Sequence, residues 1–97
     1  MATYTTSRGR TYEFELTRLS DGSIRPYIVR QPGYGLRDSD SRATHRLFEE
    51  VRSGEKRPYV CWTKRLTSEK DAMQVAAGWA ARTDVYIDTG DAEIWDR

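Results

Sequence analysis

The sequence has little cysteine, little histidine and no long apolar run, and each shortage excludes a class of protein. One cysteine, Cys61, excludes an internal disulfide, and with one histidine, His45, it cannot supply a four-ligand Cys/His zinc site. No apolar run approaches the roughly 20 residues of a membrane-spanning helix. The first ten residues, MATYTTSRGR, lack the apolar core of a secretion signal. We therefore expect a soluble, cytoplasmic protein with no membrane partner, no metal and no other cofactor.

The chain also lacks a strong net charge, although 32% of its residues are charged and the charges sum to +1. Apolar residues make up 37% of the chain and aromatic residues 11%. Aromatic side chains bury a large area each, and disordered chains combine high net charge with few aromatics. We expect one folded domain over residues 1–97, because single domains usually span about 50–200 residues. Residues 1–10 are polar and are expected to be loosely ordered.

Period-two alternation predicts strands in the first half of the chain. Thr11–Leu19 alternates apolar with polar residues, and Ile24–Gln31 returns as a second strand. The intervening Ser20–Ser23 contains Asp-Gly, which suits a tight hairpin turn. Pro26 has no N–H, so the second strand is expected at a sheet edge, or with Pro26 at its start.

The middle of the chain is a loop followed by an ambiguous segment. Pro32–Ser41 is rich in Gly, Pro, Asp and Ser, which predicts a loop. Residues 43–52 place apolar side chains at helical spacing, but they also suit a strand that turns back into the next segment; we favour the strand. Arg57–Arg65 is rich in Tyr, Val and Trp and predicts another strand.

The last third of the chain carries the strongest helical pattern. Thr67 or Ser68 suits the N-cap, and Gly90 suits the stop. Apolar and small residues recur at i, i+3 and i+4 and form one stripe: Ala72, Val75, Ala76, Trp79, Thr83, Tyr86 and Ile87. Small residues at Ala72, Ala76 and Ala80 permit close approach to a sheet. The predicted fold class is α+β: a small antiparallel sheet of three or four strands packed on one long C-terminal helix over residues 67–90.

Charge is segregated along the sequence. Residues 24–66 hold ten basic and five acidic residues, whereas residues 67–97 hold three basic and seven acidic ones. Basic and aromatic residues together suit a nucleic-acid backbone or an acidic protein patch. The candidate binding residues are Arg25, Tyr27, Arg30, Tyr34, Arg37, Arg42, Arg46, Lys64 and Arg65. The alternatives are an ordinary solvated surface, or an acidic face that imitates a row of phosphates through Asp84, Asp88, Asp91, Glu93 and Asp96.

No set of catalytic residues is recognisable in the sequence. A Cys61 nucleophile needs a base, and only His45 is available, while a buried cysteine on a strand is a common packing residue. Gly33–Gly35 lacks the remaining glycines of a dinucleotide site, and Asp38 and Asp40 lack the spacing of a calcium loop. We predict a protein that is not an enzyme. Trp79 is expected in the core, and Trp95 either covers the helix end or is an exposed anchor.

Three segments resemble parts of known proteins: RPYVCW at Arg57–Trp62, AMQVAAGWA at Ala72–Ala80, and TDVYIDTG at Thr83–Gly90. They are similar to the C-terminal half of short uncharacterised proteins carried by phages and integrative elements of proteobacteria. The strand hairpin and capped helix also resemble the AP2-like arm-binding domains of phage integrases, which place a three-stranded sheet in the DNA major groove. That resemblance implies that Arg46, Lys64 and Arg65 lie near DNA. The sequence departs from the pattern in its long loop and its acidic helix end.

The size and composition also resemble those of anti-CRISPR proteins. The leading hypothesis is a non-enzymatic binding protein of a mobile element, an anti-CRISPR-type inhibitor. Such a protein docks on a host protein or ribonucleoprotein complex and blocks nucleic-acid access or assembly. The alternative is a DNA- or RNA-binding accessory protein that uses a basic face of the sheet. The sequence leaves the partner, the oligomeric state and the choice between the basic and acidic faces open.

Overall fold

Five antiparallel strands form one sheet, and a single long helix packs on one of its faces. The computed structural model describes residues 1–96, except for the side chain of Asp96. The strand order is β1-β2-β3-β5-β4. This arrangement confirms the predicted α+β class. The elements are β1 (Ala2–Thr5), β2 (Thr11–Arg18), β3 (Ile24–Arg30), α1 (Ser41–Thr44), β4 (Arg46–Arg52), β5 (Glu55–Val60), α2 (Glu69–Thr89) and a closing 3-10 turn (Ala92–Asp96).

The sheet has one strand more than the sequence predicted, because the N-terminal segment is ordered as β1. Its register sets Tyr4 opposite Tyr12, and the Tyr4 side chain packs against the core. The expectation of a loosely ordered stretch over residues 1–10 was therefore wrong. Four residues are too few for their alternation to be read from sequence, and it is the pairing with β2 that orders them.

The ambiguous segment over residues 43–52 contains a strand, as favoured, but a short helix precedes it. Asp40 caps α1 by accepting a hydrogen bond from the amide of Ala43 at 2.7 Å. His45 follows with φ of 51°, a left-handed turn that leads the chain from α1 into β4. The cap and the turn both depend on neighbouring residues. The sequence did not predict α1, because a helix of four residues is too short to show a helical period.

The strand predicted over Arg57–Arg65 ends early, at Val60, and the chain then leaves the sheet. The reason lies in Leu66, which is buried with Ile24 and Ala72 at the start of α2. The carbonyl of Leu66 accepts a hydrogen bond from the amide of Ile24 at 2.7 Å. Residues 61–66 are therefore drawn across toward the helix instead of extending β5.

The helix predicted over residues 67–90 is α2, with Ser68 as its N-cap and Gly90, at φ of 74°, as its C-cap. The three small residues expected to permit close approach, Ala72, Ala76 and Ala80, are fully buried. Trp79 stands edge-on to two core rings of β2, those of Tyr12 and Phe14, at centroid distances of 5.9 and 6.0 Å. The alanines bring α2 onto the sheet, and the aromatic cluster fills the space that remains.

Pro26 lies inside β3, and β3 is the central strand of the sheet. Both expectations, an edge strand or a proline at the start of the strand, were therefore wrong. The seam between β3 and β5 has a single registered pair, Tyr27 opposite Tyr59. Pro26 and Pro58 stand beside that pair, one on each strand, and neither has an N–H to donate. Two prolines at one seam explain why its ladder is so short.

Candidate functional site

The candidate binding residues lie on different surfaces of the molecule. The outer face of the sheet is the face that α2 leaves uncovered, and it holds Arg25 and Tyr27 of β3. Lys64 and Arg65 follow β5 and line a cleft beside α2, on the opposite side of the sheet. The structure therefore does not bring the predicted set together as one basic patch.

On the outer face, arginines and tyrosines interlock across the weak seam. The guanidinium of Arg25 lies over the ring of Tyr59 at 4.1 Å, and that of Arg57 lies over Tyr27 at 4.0 Å. Glu49 accepts hydrogen bonds from the hydroxyl of Tyr27 and, at 3.0 Å, from Arg25. Burial and the Glu49 contact raise the pKa of Tyr27, which is only 4% exposed.

These contacts give the outer face a structural role. Arg25 is paired with Glu49, and Arg57 is paired with Glu15 at 2.5 Å. Both cations are therefore neutralised within the fold. The face is a layer of side chains that bridges β3, β5 and β4 where two backbone donors are missing.

Of the remaining predicted residues, some hold parts of the fold together and others are exposed cations. Arg37 donates to the carbonyls of Ile87 and Asp88, both at 3.1 Å, at the C-terminal end of α2 where cations are favoured. Arg46 lies over the ring of Tyr34 at 4.8 Å and donates to the Ser39 carbonyl at 3.0 Å. Arg30, at the end of β3, and Arg42, in α1, are exposed.

The acidic end of the chain is largely paired within the fold. Asp84 is 1% exposed and accepts hydrogen bonds from Thr6 and Tyr12, so it cannot present a carboxylate to a partner. Asp88 forms ion pairs with Arg8 and Arg10. These contacts contradict a phosphate-like row that includes Asp84. Asp91 and Glu93 lie in the closing segment, and the side chain of Asp96 is outside the described part of the chain.

A cleft of about 690 Å³ lies between residues 61–66 and α2, and we call it the tryptophan cleft. All three tryptophans of the chain line it: Trp62, Trp79 and Trp95. They come from the segment after β5, from the middle of α2 and from the closing 3-10 turn. Tertiary structure thus gathers three residues that are separated in sequence.

Hydrogen bonds and stacking hold two of these indoles in place. The Nε1–H of Trp79 donates to the Thr44 carbonyl at 3.0 Å, and that of Trp95 donates to the Ala43 carbonyl at 2.8 Å. The His45 ring stacks on Trp95 at a centroid distance of 4.6 Å. Trp62 is 50% exposed. The cleft therefore combines a fixed aromatic wall with one accessible indole.

The charge lining the tryptophan cleft is positive. Its walls include Lys64, Arg65 and Arg82, against one carboxylate, that of Asp71. Arg65 donates to the Asp21 carbonyl and is held in place, whereas Lys64 is exposed. A concave site with aromatic walls and an excess of cations suits an anionic or aromatic ligand group.

Cys61 and His45, the pair considered in the sequence, both line this cleft. The amide of Cys61 donates to the carbonyl of His45 at 2.9 Å, which sets the two residues side by side where β4 and β5 meet α1. The thiol is half-buried. Within residues 1–96, no group of three or more Cys, His, Asp or Glu side chains is arranged to hold a metal ion.

Sequence reasoning missed the tryptophan cleft as a site. It assigned Trp79 to the core and treated Trp95 alone, and it gave Trp62, His45 and Arg82 no binding role. The one indication of such a site in the sequence was its content of three tryptophans in 97 residues. Their convergence depends on the turn of residues 61–66 away from the sheet, which no local pattern shows.

Comparison of the chain with protein-family models, curated proteins and solved structures finds no significant match. Among the described residues, no helix combines the length and apolar character needed to cross a bilayer.

Proposed function

We propose that this chain is a non-enzymatic binding protein of a mobile element, an inhibitor of the anti-CRISPR type that acts in the cytoplasm. It docks on a host complex that handles nucleic acid and blocks nucleic-acid access or assembly. The docking site is the tryptophan cleft, and the partner inserts an acidic or aromatic side chain between Trp62 and the fixed wall formed by Trp95.

The convergence of all three tryptophans on one positively charged cleft carries this proposal. Tryptophan and arginine are the residues most enriched at binding hot spots, where a few anchors supply most of the affinity. Trp62 exposes half of a large apolar side chain to solvent, which costs free energy in the unbound protein. A partner that covers Trp62 recovers that free energy.

The test is affinity capture from a bacterial lysate, followed by titration of the purified partner against Trp62→Ala. We expect one defined complex and a loss of affinity of about 30-fold or more in the variant, the loss typical of a hot-spot anchor. Leu36→Ala is the matched control, because Leu36 is a fully exposed apolar residue outside the cleft. Equal affinities in Trp62→Ala and wild type would overturn the assignment of the cleft.

A second candidate function is binding of single-stranded nucleic acid, favoured by the position of Lys64 and Arg65 beside Trp62. Stacking of bases on aromatic rings with cations near the backbone is the usual mode for single strands. The paired outer face offers no free basic surface at Arg25, so this function too is assigned to the cleft. It predicts an affinity for oligonucleotides that falls steeply with salt and weakens in Lys64→Glu. Absence of a mobility shift at about 50 mM salt would eliminate it.

The proposal assigns no bond-making step to Cys61. Cys61→Ser is therefore expected to bind the captured partner as tightly as the wild type does, and to inhibit it equally. If Cys61→Ser binds normally but no longer inhibits, the half-buried thiol and the adjacent His45 act chemically on the partner, and the non-enzymatic assignment is wrong.

A further inference from the structure

The free edge of the sheet at β4 exposes apolar side chains on both of its faces. Leu47, Phe48 and Val51 are exposed by 39, 42 and 41%. An edge strand also presents unpaired backbone donors and acceptors, and proteins usually protect such edges with proline, charged side chains, a bulge, a covering loop or a short strand. β4 contains no proline, but four of its seven residues are charged and its ladder with β5 is irregular between Glu50 and Arg52. The part of β4 before that irregularity can therefore pair with another strand, provided that the charges meet opposite charges.

The hydrogen-bond pattern shows which residues of β4 face that edge. Backbone groups of consecutive residues in an antiparallel ladder point alternately to the two sides. The hydrogen bond from the Cys61 amide to the His45 carbonyl shows that the backbone groups of His45 point toward β5. By this alternation and the register of β4 with β5, Arg46, Phe48 and Glu50 direct their N–H and C=O groups outward.

We propose that two copies of this chain pair through β4, antiparallel, about a twofold axis at Phe48. The axis sets Phe48 opposite Phe48 of the second copy, and the sheet becomes continuous over ten strands. Arg46 of each copy then lies opposite Glu50 of the other. To reach that carboxylate, the Arg46 guanidinium releases the Ser39 carbonyl, to which it donates within the single chain. All three pairs join residues whose backbone groups face outward, as a ladder requires.

Charge complementarity selects this occupant and this register. The symmetric pairing supplies two opposite-charge pairs and one aromatic pair on one face of the sheet, which are the favourable cross-strand combinations. Sliding the copy by two residues in one direction sets Arg46 opposite Arg52 and Glu49 opposite Glu49. Sliding it in the other direction moves Glu50 opposite Thr44, beyond the strand, and loses both ion pairs.

The inference is independent of the proposed function, because β4 beyond Arg46 contributes no residue to the lining of the tryptophan cleft. Each protomer of the dimer keeps its own cleft. An inhibitor with two clefts can engage two partner copies, and avidity then raises the overall affinity without a new contact in either cleft.

The test is sedimentation equilibrium of the wild type and charge variants over a wide range of protein concentration, since an interface of one strand pair is small. We expect a dimer in the wild type. Glu50→Arg is expected to be monomeric at the same concentrations, because it sets arginine opposite arginine twice. Arg46→Glu combined with Glu50→Arg restores both opposite-charge pairs and is expected to dimerise. Glu69→Arg is the control, since it makes the same charge change on exposed α2.

A second measurement tests the register and remains informative if Arg46→Glu fails to fold. In a Cys61→Ser background, Phe48→Cys is expected to form a disulfide-linked dimer on oxidation, because residues opposite each other lie about 5.5 Å apart at Cα. Leu47→Cys is the matched control and is expected to crosslink far less. A wild type that stays monomeric, dimerisation unaffected by Glu50→Arg, or crosslinking of Leu47→Cys in preference to Phe48→Cys would each overturn the proposal.

Discussion

At the scale of single residues, Asp84 organises the junction between the N-terminal segment and α2. It accepts from the hydroxyl of Tyr12 at 2.5 Å and from Thr6, and it lies 3.6 Å from Arg10. A buried carboxylate is tolerated only when it is paired and hydrogen-bonded in this way. Its partners come from a segment more than 70 residues away in sequence. Asp84 therefore fastens β2 and the connection that precedes it to the helix.

We expect Asp84→Ala to lower the free energy of unfolding, because Tyr12 and Thr6 lose their buried acceptor. Leaving such a group unsatisfied costs about 1–3 kcal/mol. Asp84→Asn keeps one acceptor oxygen and is expected to lose less than the alanine variant. Urea unfolding monitored by circular dichroism measures both, with Glu93→Ala, an exposed acidic residue, as the control. Wild-type stability in Asp84→Ala would show that Asp84 is dispensable.

Several carboxylates have a pKa below the usual range and set the response to acid, and ion pairs with arginine hold two of them. Hydrogen bonds from Arg10 and then Arg8 lower the pKa of Asp88, and the hydrogen bond from Tyr27 together with the charge of Arg25 lowers that of Glu49. A carboxylate whose pKa is lower in the folded state stabilises the fold at pH values above its unfolded pKa. That stabilisation is lost as pH falls through the folded pKa.

We therefore expect the free energy of unfolding to fall as pH drops below about 4, the unfolded pKa range of Asp and Glu. Asp88→Asn removes one of the responsible groups, so the slope of stability against pH should be shallower in that variant. Urea titrations at a series of pH values measure this slope. Identical slopes in the variant and the wild type would contradict the role of Asp88.

At the scale of elements, α2 depends on three alanines for its distance from the sheet. Ala72, Ala76 and Ala80 are fully buried, while Ala81 on the same helix is exposed. The contact face has no room for a larger side chain, because packed interiors hold few voids. This close contact holds the helix against the aromatic cluster around Trp79.

Ala76→Leu is expected to destabilise the protein by about 1–3 kcal/mol, the usual cost of overpacking a core. Ala81→Leu makes the same change on the exposed face of α2 and is expected to leave stability nearly unchanged. Thermal and urea unfolding of both variants compare the two positions directly. Equal effects would mean that the helix is free to move away from the sheet.

The seam between β3 and β5 is the weak point of the sheet, and the outer-face side chains reinforce it. Tyr27→Phe removes the hydroxyl that Glu49 accepts from. We expect faster hydrogen–deuterium exchange at the amides of Ile28 and Val60, which flank the Tyr27–Tyr59 pair, because the seam opens more often. Amides of the β1–β2 ladder serve as the internal control. Unchanged exchange at the seam would show that the backbone alone holds it.

At the scale of the whole molecule, we propose separate roles for two surfaces: the tryptophan cleft would bind a partner, and β4 would bind a second copy. Changes at distant sites without shared contacts usually act additively. Trp62→Ala is expected to lose partner binding while remaining dimeric. Glu50→Arg is expected to become monomeric and to keep the affinity of a single cleft. Titration with the partner and sedimentation of each variant, and of the variant that combines the two changes, measure partner affinity and dimerisation separately. Loss of dimerisation in Trp62→Ala would show that the two surfaces are not independent.

The features that the sequence predicted correctly are those set by neighbouring residues. The caps and stripe of α2, the Asp-Gly turn before β3 and the alternation of β2 each depend on backbone preferences and periodicity within a few positions. From them followed the α+β class and the helix on the sheet.

Contacts between distant residues decided the remaining features. An arginine is available to a partner protein only if no carboxylate of its own chain pairs with it. Arg10 pairs with Asp88, 78 positions away, and Arg57 pairs with Glu15, 42 positions away. β1 is ordered by pairing, and the tryptophan cleft forms because Leu66 is buried against α2. Sequence alone fixes how each segment prefers to bend, whereas the burial of apolar surface decides which segments meet, and therefore which charges and rings face solvent.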